Sequence, residues 1–264
     1  MTPQRMHDAA LVLQQFGEPK LAEELDVLAE RLMPNSVYEL KPLGTVARMW
    51  GTQVPGKFTD SLAQMLVYSQ RVLCKPGEFI HYPPSPSYSW HEGARGELVA
   101  SAIGDWLLQL DTDHVFAPDL LERLLRLRAK YNTRVLSGLY FNKNYPHFPV
   151  ANTWGESKVN QLMLWDPSQE VLEMGPVGGG CLLVDLDVFR EISQKTKEAP
   201  FAIRPGLSED YSFCLRCREC GIPVHLATNV ESHHLRPESV IAKRDLDWGW
   251  ARHVGLDPDN PPKG

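Results

Sequence analysis

The chain has 264 residues, a length that suits one large α/β domain or one domain with a small appendage. Hydrophobic residues make up 43% and charged residues 23%, which excludes a generally disordered chain. The net charge of −6, without a long basic stripe, argues against a protein that binds nucleic-acid backbones. The short basic run of residues 123–130 alternates with leucines, as on the solvated face of a helix.

The first segment carries apolar positions at helical spacing over residues 5–32. Gly17 and Pro19 interrupt this pattern, which predicts two short helices rather than one. A linker, Pro34-Asn35-Ser36, follows. We therefore expect an N-terminal helical appendage over residues 1–40.

From residue 45 the pattern changes to an alternation of strands and helices. It predicts strands at 45–49, 79–82, 106–110 and 134–140, and helices at 60–73, 92–103 and 118–131. Further along, it predicts a hairpin from 161–165 and 171–174, strands at 181–184 and 224–227, and helices at 186–192 and 210–220. Such an order is typical of an α/β, Rossmann-like domain with a mostly parallel central sheet flanked by helices. We expect this domain over residues 41–240, followed by a tail over 241–264.

The sequence also indicates in which part of the cell the protein is located. No window reaches the run of about 18 apolar residues that spans a bilayer, and the first ten residues lack the apolar segment of a signal peptide. The 5 cysteines are an odd number in a chain of this size, which does not suggest a disulfide framework. We therefore expect a cytoplasmic protein with reduced thiols and no transmembrane segment.

The strongest chemical signal is an apolar strand, residues 106–110, that ends in Asp111-Thr112-Asp113. Ligands of open α/β sheets bind beyond the carboxyl ends of the strands, so these two carboxylates can converge on one Mg²⁺ or Mn²⁺ ion. Two carboxylates do not complete the coordination of such an ion, and a diphosphate would supply further oxygens. The alternative is that both residues are turn and capping residues ahead of the helix at 118–131.

The segment resembles the DxD motif of GT-A fold glycosyltransferases of the family 2 type. Three further segments resemble motifs of that superfamily in its order: residues 93–98 (GARGEL), 177–184 (VGGGCLLV) and 208–216 (SEDYSFCLR). The resemblance covers about residues 45 to 240 by motif order. It implies a GT-A fold, a nucleotide-diphosphate-sugar donor, and a Mn²⁺ or Mg²⁺ ion held by Asp111 and Asp113.

The adjacent histidines His233 and His234 lie where many members of this superfamily place a late metal ligand. Neighbouring residues of an extended segment point to opposite sides, so we expect only one of them to bind the metal. The resemblance favours His234. Neutral imidazole is a suitable ligand for Mn²⁺.

An acid pair, Glu209-Asp210, follows Ser208 at the predicted start of a helix. Resemblance to inverting family members implies that Asp210 is the general base for the acceptor hydroxyl and that Glu209 contacts the acceptor or the sugar. The alternative is that the pair only caps the helix, where the macrodipole favours anions.

Other candidate ligand contacts are Gly179, Gly180, Arg95 and Trp50. Glycines at 178–180 allow backbone N–H groups to approach a bound sugar closely, although a simple turn is the alternative. Arg95 is either a phosphate ligand or an ordinary arginine on a helix surface. Trp50 is either a stacking partner for the base or a packing residue.

Three cysteines at CxxCxxC spacing, Cys214, Cys217 and Cys220, could be read as a zinc site. All three fall on one predicted helix, whereas structural zinc usually takes ligands from a turn and a distant partner. We interpret them as thiols on a buried helix face.

These observations favour a metal-dependent, hexosyltransferase-like glycosyltransferase that transfers a sugar from a nucleotide-diphosphate-sugar to a hydroxyl acceptor. One alternative is a Mg²⁺-dependent phosphatase of the haloacid-dehalogenase type, which also places DxD after an apolar strand but usually opens its domain with it. The other alternative is a sugar-nucleotide-binding protein without turnover.

Overall fold

A computed structural model describes residues 20, 23–24, 40–49, 54–87, 90–155, 159–162, 165–166, 168–236 and 240–241. The chain divides into two compact units, Met1–Leu40 and Lys41–Gly264. The predicted helices of residues 5–32 and the predicted tail lie almost entirely outside the described residues, so both stay predictions. The fold below is that of the second unit.

The elements of the first half are β1 (Lys41–Arg48), α1 (Gly56–Leu73), β2 (Glu78–His81), α2 (His91–Ser101), β3 (Trp106–Leu110), β4 (His114–Phe116), α3 (Leu120–Tyr131) and β5 (Val135–Leu139). Those of the second half are β6 (Asn152–Trp154), β7 (Val159–Gln161), β8 (Val171–Met174), β9 (Cys181–Asp185), α4 (Leu186–Thr196), α5 (Glu209–Glu219), β10 (Val224–Leu235) and β11 (Val240–Ile241).

The central sheet has the strand order β11-β10-β5-β9-β3-β1-β2. Strands β2, β1 and β3 pair in parallel, and so do β5 and β10. Strand β9 lies between these two groups and runs antiparallel to both neighbours. The predicted α/β class is confirmed. The sheet is mixed, because β9 runs antiparallel to both neighbours and β4, β8 and β11 pair antiparallel with β10.

Helices cover both faces of this sheet. On one face, Met65 of α1 and Leu124 of α3 pack with Leu108 of β3 in one buried cluster. On the other, Phe213 of α5 packs in a cluster with Leu107 of β3, together with residues of α2 and α4. Strand β3 is therefore buried at every position, which explains its continuous apolar sequence. Among the described helices, none has both the length and the hydrophobicity of a bilayer-spanning segment.

The predicted hairpin of residues 161–165 and 171–174 is wrong. Strand β8 pairs antiparallel with β10, with Leu172 opposite Leu226, while β7 pairs with β6. An edge of the large sheet offers β8 a longer apolar partner than a local hairpin would. Strand β10 is also much longer than predicted, because its register shifts between Ala227 and Glu231 and its second half pairs with β4.

Candidate metal centre and acid cluster

The site lies at the edge of the sheet where β3 and β5 end and the antiparallel β9 begins. Asp111 follows β3, and its backbone N–H donates a 2.9 Å hydrogen bond to the carbonyl of Gly180. The end of β10 reaches the same edge, where the N–H of Leu235 donates to the carbonyl of Asp113 at 2.7 Å. Two segments that are far apart in sequence, the DxD and the histidine pair, are therefore neighbours.

Asp113, His114 and His234 form a group whose potential ligand atoms all lie within 4.8 Å of one another. Asp113 Oδ1 is 3.8 Å from His114 Nε2 and 3.9 Å from His234 Nε2. The two histidines are opposite each other in the β4–β10 pairing, with ring centroids 4.2 Å apart. Two imidazoles and one carboxylate suit a first-row transition metal better than Mg²⁺, which prefers oxygen ligands.

Hydrogen bonds on the far side of each ring orient these histidines. His234 Nδ1 donates to the carbonyl of Phe141, which can only accept, so the neutral ring presents a lone pair at Nε2. His114 Nδ1 lies 2.7 Å from Ser232 Oγ. His114 Nε2 is buried and has no hydrogen-bond partner within the described part of the chain. A buried, unpaired polar atom is costly, and a bound metal ion would satisfy it.

The two imidazoles are neutral at neutral pH. Desolvation holds the pKa of His114 well below its ordinary value of 6.5, and the neighbouring His234 lowers it further. Desolvation also lowers the pKa of His234, against the opposing effects of the Phe141 carbonyl and Asp113. Because only the neutral ring binds a metal, both side chains are in the ligating form.

Of the predicted histidine pair, only His234 faces this cluster. His233 points to the other side of β10, and its Nε2 lies 2.9 Å from Glu231 Oε2. The sequence reasoning did not select His114. The available signal was its position directly after Asp113, but its pairing opposite His234 depends on the register shift in β10.

Arg95 is 2% exposed, so the interpretation of it as a surface arginine is wrong. Its guanidinium donates to Glu209 Oε1 at 3.0 Å and to Gln109 Oε1 at 2.8 Å. It also donates to the Gly179 carbonyl at 3.2 Å and reaches Asp111 Oδ1 at 3.4 Å. With these protein acceptors, Arg95 connects the DxD segment, the glycine loop and α5 rather than presenting its charge to a phosphate.

Asp111 lies beside this arginine and outside the Asp113–His114–His234 group. Desolvation raises the pKa of Asp111, and the negative charges of Asp113 and Asp210 raise it further, while Arg95 opposes both. Asp113 differs. Desolvation opposes its ionisation as well, but the hydrogen bond from Lys143 and the positive charge of that ammonium lower its pKa below the ordinary value. Asp113 is therefore the more readily ionised carboxylate.

The glycines of 178–180 make room for protein side chains rather than for an open ligand surface. A Cβ at Gly179 would lie 2.4 Å from the Arg95 guanidinium, and one at Gly180 would lie 2.8 Å from the His114 ring. The N–H of Gly179 donates to Asp210 Oδ2 at 3.1 Å, and that of Gly180 to the hydroxyl of Tyr140 at 3.1 Å. The expectation that these N–H groups meet a bound sugar is not supported by this geometry.

The two residues of the acid pair, Glu209 and Asp210, lie in different environments. Glu209 is buried and bonded to Arg95, so it is not available for the predicted contact with an acceptor. Asp210 is half-buried, and its carboxylate accepts hydrogen bonds from the Gly179 N–H, the Tyr211 N–H and the Ser208 hydroxyl. Ser208 makes no side-chain capping bond to α5. Asp210 is the acid that is both fixed in place and accessible.

The remaining candidates from the sequence are Trp50, as a stacking partner for a base, and the three cysteines, as zinc ligands. Trp50 lies outside the described residues. Cys214 and Cys217 on α5 are buried in the core, and Cys220 follows the helix half-buried. The placement of Cys214 and Cys217 agrees with thiols on a buried helix face, whereas that of Cys220 does not.

No protein-family model and no curated protein matches this chain. Among solved structures, the chain is similar to the crystal structure of A197 from STIV, with 13% identity and a TM-score of 0.47. The match covers 78% of this chain and 91% of that one. A similarity this low supports no statement about activity, so the functional argument depends on the site itself.

Proposed function

We propose that this protein is a metal-dependent glycosyltransferase of the GT-A type that transfers a sugar from a nucleotide-diphosphate-sugar to a hydroxyl acceptor. The observation that carries the proposal is the Asp113–His114–His234 group, in which the buried His114 Nε2 has no hydrogen-bond partner among the described residues. This group lies at the end of the strand that carries the DxD motif. A structural aspartate in a turn would not require two neutral imidazoles beside it.

Asp113, His114 and His234 would hold the metal ion, with Asp111 beside it on the Arg95 side. When bound, such an ion neutralises the charge that develops on a departing nucleoside diphosphate. The nitrogen-rich ligand set favours Mn²⁺ over Mg²⁺. The remaining coordination positions would be filled by phosphate oxygens and water.

Asp210 is the best candidate for the general base. As the acceptor oxygen forms its bond to the anomeric carbon, the bond to the diphosphate breaks and the hydroxyl proton moves to the Asp210 carboxylate. The Gly179 N–H and the Ser208 hydroxyl fix that carboxylate without protonating it. Arg95 and Glu209 are positioning residues, because they connect α5 to the DxD segment from inside the protein.

The phosphatase alternative uses the same motif differently. That interpretation requires a Mg²⁺ ion, which prefers oxygen ligands, whereas the group around Asp113 contains two imidazole nitrogens. It also assigns no role to His114 or His234. The geometry therefore favours sugar transfer, and the products of the reaction distinguish the two.

The test is a thermal-shift panel of nucleotide-sugars, each measured with and without Mn²⁺. We expect at least one donor to raise the melting temperature only when Mn²⁺ is present, because ligands of the native state stabilise it by mass action. Asp113→Ala should abolish that shift, and His233→Ala is the matched control that should keep it. Incubation with the same donor should then release nucleoside diphosphate slowly. Release of inorganic phosphate would favour the phosphatase, and release of neither would favour a binding protein.

A further inference from the structure

Lys143 lies in the loop after β5, and nothing in the sequence motifs assigns it a role. The loop is closed at its base, where the N–H of Asn142 donates to the carbonyl of Phe148 at 2.8 Å and Phe141 pairs with Pro149. Near its tip, the Lys143 ammonium forms an ion pair with Asp113 Oδ2. Lys143 therefore binds the same carboxylate that faces both histidines.

The two oxygens of Asp113 have different partners. Oδ1 faces His114 and His234, while Oδ2 accepts from Lys143. A divalent cation at Oδ1 would be a close neighbour of the ammonium, and like charges a few ångströms apart repel strongly even with partial solvent screening. The ion pair and the metal therefore oppose each other.

Breaking its ion pair with Asp113 costs Lys143 little free energy. The side chain of Lys143 is 43% exposed and that of Asp113 is 36% exposed, and ion pairs of this exposure are weak. The stem of lysine is flexible, and a lysine ammonium is a common partner of phosphate as a point charge. A diphosphate on the metal would offer it a second anionic partner at the same edge.

We propose that Lys143 exchanges partners: it binds Asp113 in the metal-free protein, and it binds the diphosphate of the donor when the metal is bound. This inference rests on the proposed function, since it requires the metal and the diphosphate. Its consequence is positive coupling. Metal alone must displace Lys143 without compensation, whereas metal and diphosphate together give the ammonium a new partner, so each should strengthen binding of the other.

The experiment measures Mn²⁺ binding by electron paramagnetic resonance, with and without inorganic pyrophosphate, after the Mn²⁺–pyrophosphate equilibrium in buffer has been determined separately. For Lys143→Met we expect Mn²⁺ alone to bind roughly two- to fivefold more tightly than to the wild type, the range that a weak exposed ion pair allows. The enhancement by pyrophosphate should shrink by a similar factor. Lys143→Arg should keep both wild-type values.

Lys130→Met is the matched control. Lys130 lies on α3 and forms an ion pair with Glu170, which is not part of the DxD segment. This variant should leave Mn²⁺ binding unchanged. If Lys143→Met weakens Mn²⁺ binding, Lys143 orients Asp113 for the metal and the exchange is wrong. An unchanged Mn²⁺ affinity and an unchanged pyrophosphate effect would also overturn it. If neither wild type nor Lys143→Met binds Mn²⁺, the metal-dependent function fails, and this inference fails with it.

Discussion

Two clusters of polar side chains adjoin each other at the edge of the sheet, and they differ in the partners of their central groups. Around Arg95, the guanidinium has protein acceptors on Glu209, Gln109, Gly179 and Asp111. Around Asp113, His114 Nε2 has no partner within the described part of the chain, and the attached ion pair with Lys143 is exposed. In the first cluster, Gln109 Nε2 is also buried without a partner among the described residues, but the buried charge of Arg95 is matched by protein acceptors. A matched buried charge holds elements together, whereas an unpartnered imidazole nitrogen beside an exposed ion pair has capacity for a ligand.

The largest expected effect is on stability, from removing the buried charge of Arg95. In Arg95→Met the buried Glu209 loses its charge partner, so we expect the free energy of unfolding to fall by about 3–5 kcal/mol. Chemical denaturation measures this loss. Arg126→Met, on the exposed face of α3, is the control and should stay within about 0.5 kcal/mol of the wild type. A loss below about 1 kcal/mol in Arg95→Met would mean that the network is not structural.

At Asp210, which accepts a hydrogen bond from the N–H of Gly179, the expected effect is on rate rather than on stability. Asp210→Asn preserves the shape of the side chain but cannot accept the acceptor's proton. We expect turnover to fall by roughly 10²- to 10⁴-fold with donor affinity nearly unchanged. Steady-state kinetics with the donor found in the thermal-shift panel provide the measurement. Asp60→Asn, at an exposed position of α1, should behave as wild type.

A loss that appears only as weaker donor binding would assign Asp210 to the binding site. A wild-type rate would exclude it as the base, and a retaining mechanism would then become the better interpretation.

Substitution of His114 tests directly whether the cluster around Asp113 binds a metal ion. Removal of an outer-sphere partner of a metal ligand typically costs 10- to 100-fold in affinity, so loss of a ligand should cost at least about tenfold. We expect His114→Leu and His234→Ala each to weaken Mn²⁺ binding by that factor, as measured by electron paramagnetic resonance. His233→Ala, one residue away on the opposite side of β10, should not. Equal losses at all three histidines would show a general effect on the strand rather than ligation.

The difference between the clusters also explains what the sequence could and could not predict. The DxD strand, the α/β class and the position of Asp210 follow from local patterns, because apolar runs and helix starts are short-range signals. The burial of Arg95 and the role of the glycines depend on contacts between α2, β9 and α5. The resemblance favoured His234, but the placement of His114 opposite it depends on a register shift in β10 that no local pattern encodes.

The smallest expected effect concerns the cysteines of α5, the other set of potential metal ligands. Burial raises the pKa of the Cys214 thiol to about 12 and that of Cys217 well above its ordinary value, so the thiolate that would bind zinc or react with an alkylating agent is scarce. A raised thiol pKa lowers the thiolate fraction at every pH below it, so at pH 8 the Cys214 thiol is almost entirely protonated.

We therefore expect native protein to expose two thiols to a colorimetric thiol reagent at pH 8, those of the half-buried Cys74 and Cys220, and all 5 after denaturation. Elemental analysis of protein purified without chelator should find well below one zinc per chain. Rapid labelling of a third thiol would contradict the burial of α5. A stoichiometric zinc that is lost in Cys217→Ser, with Cys74→Ser as the control that retains it, would show that these cysteines are a metal site and not part of the core.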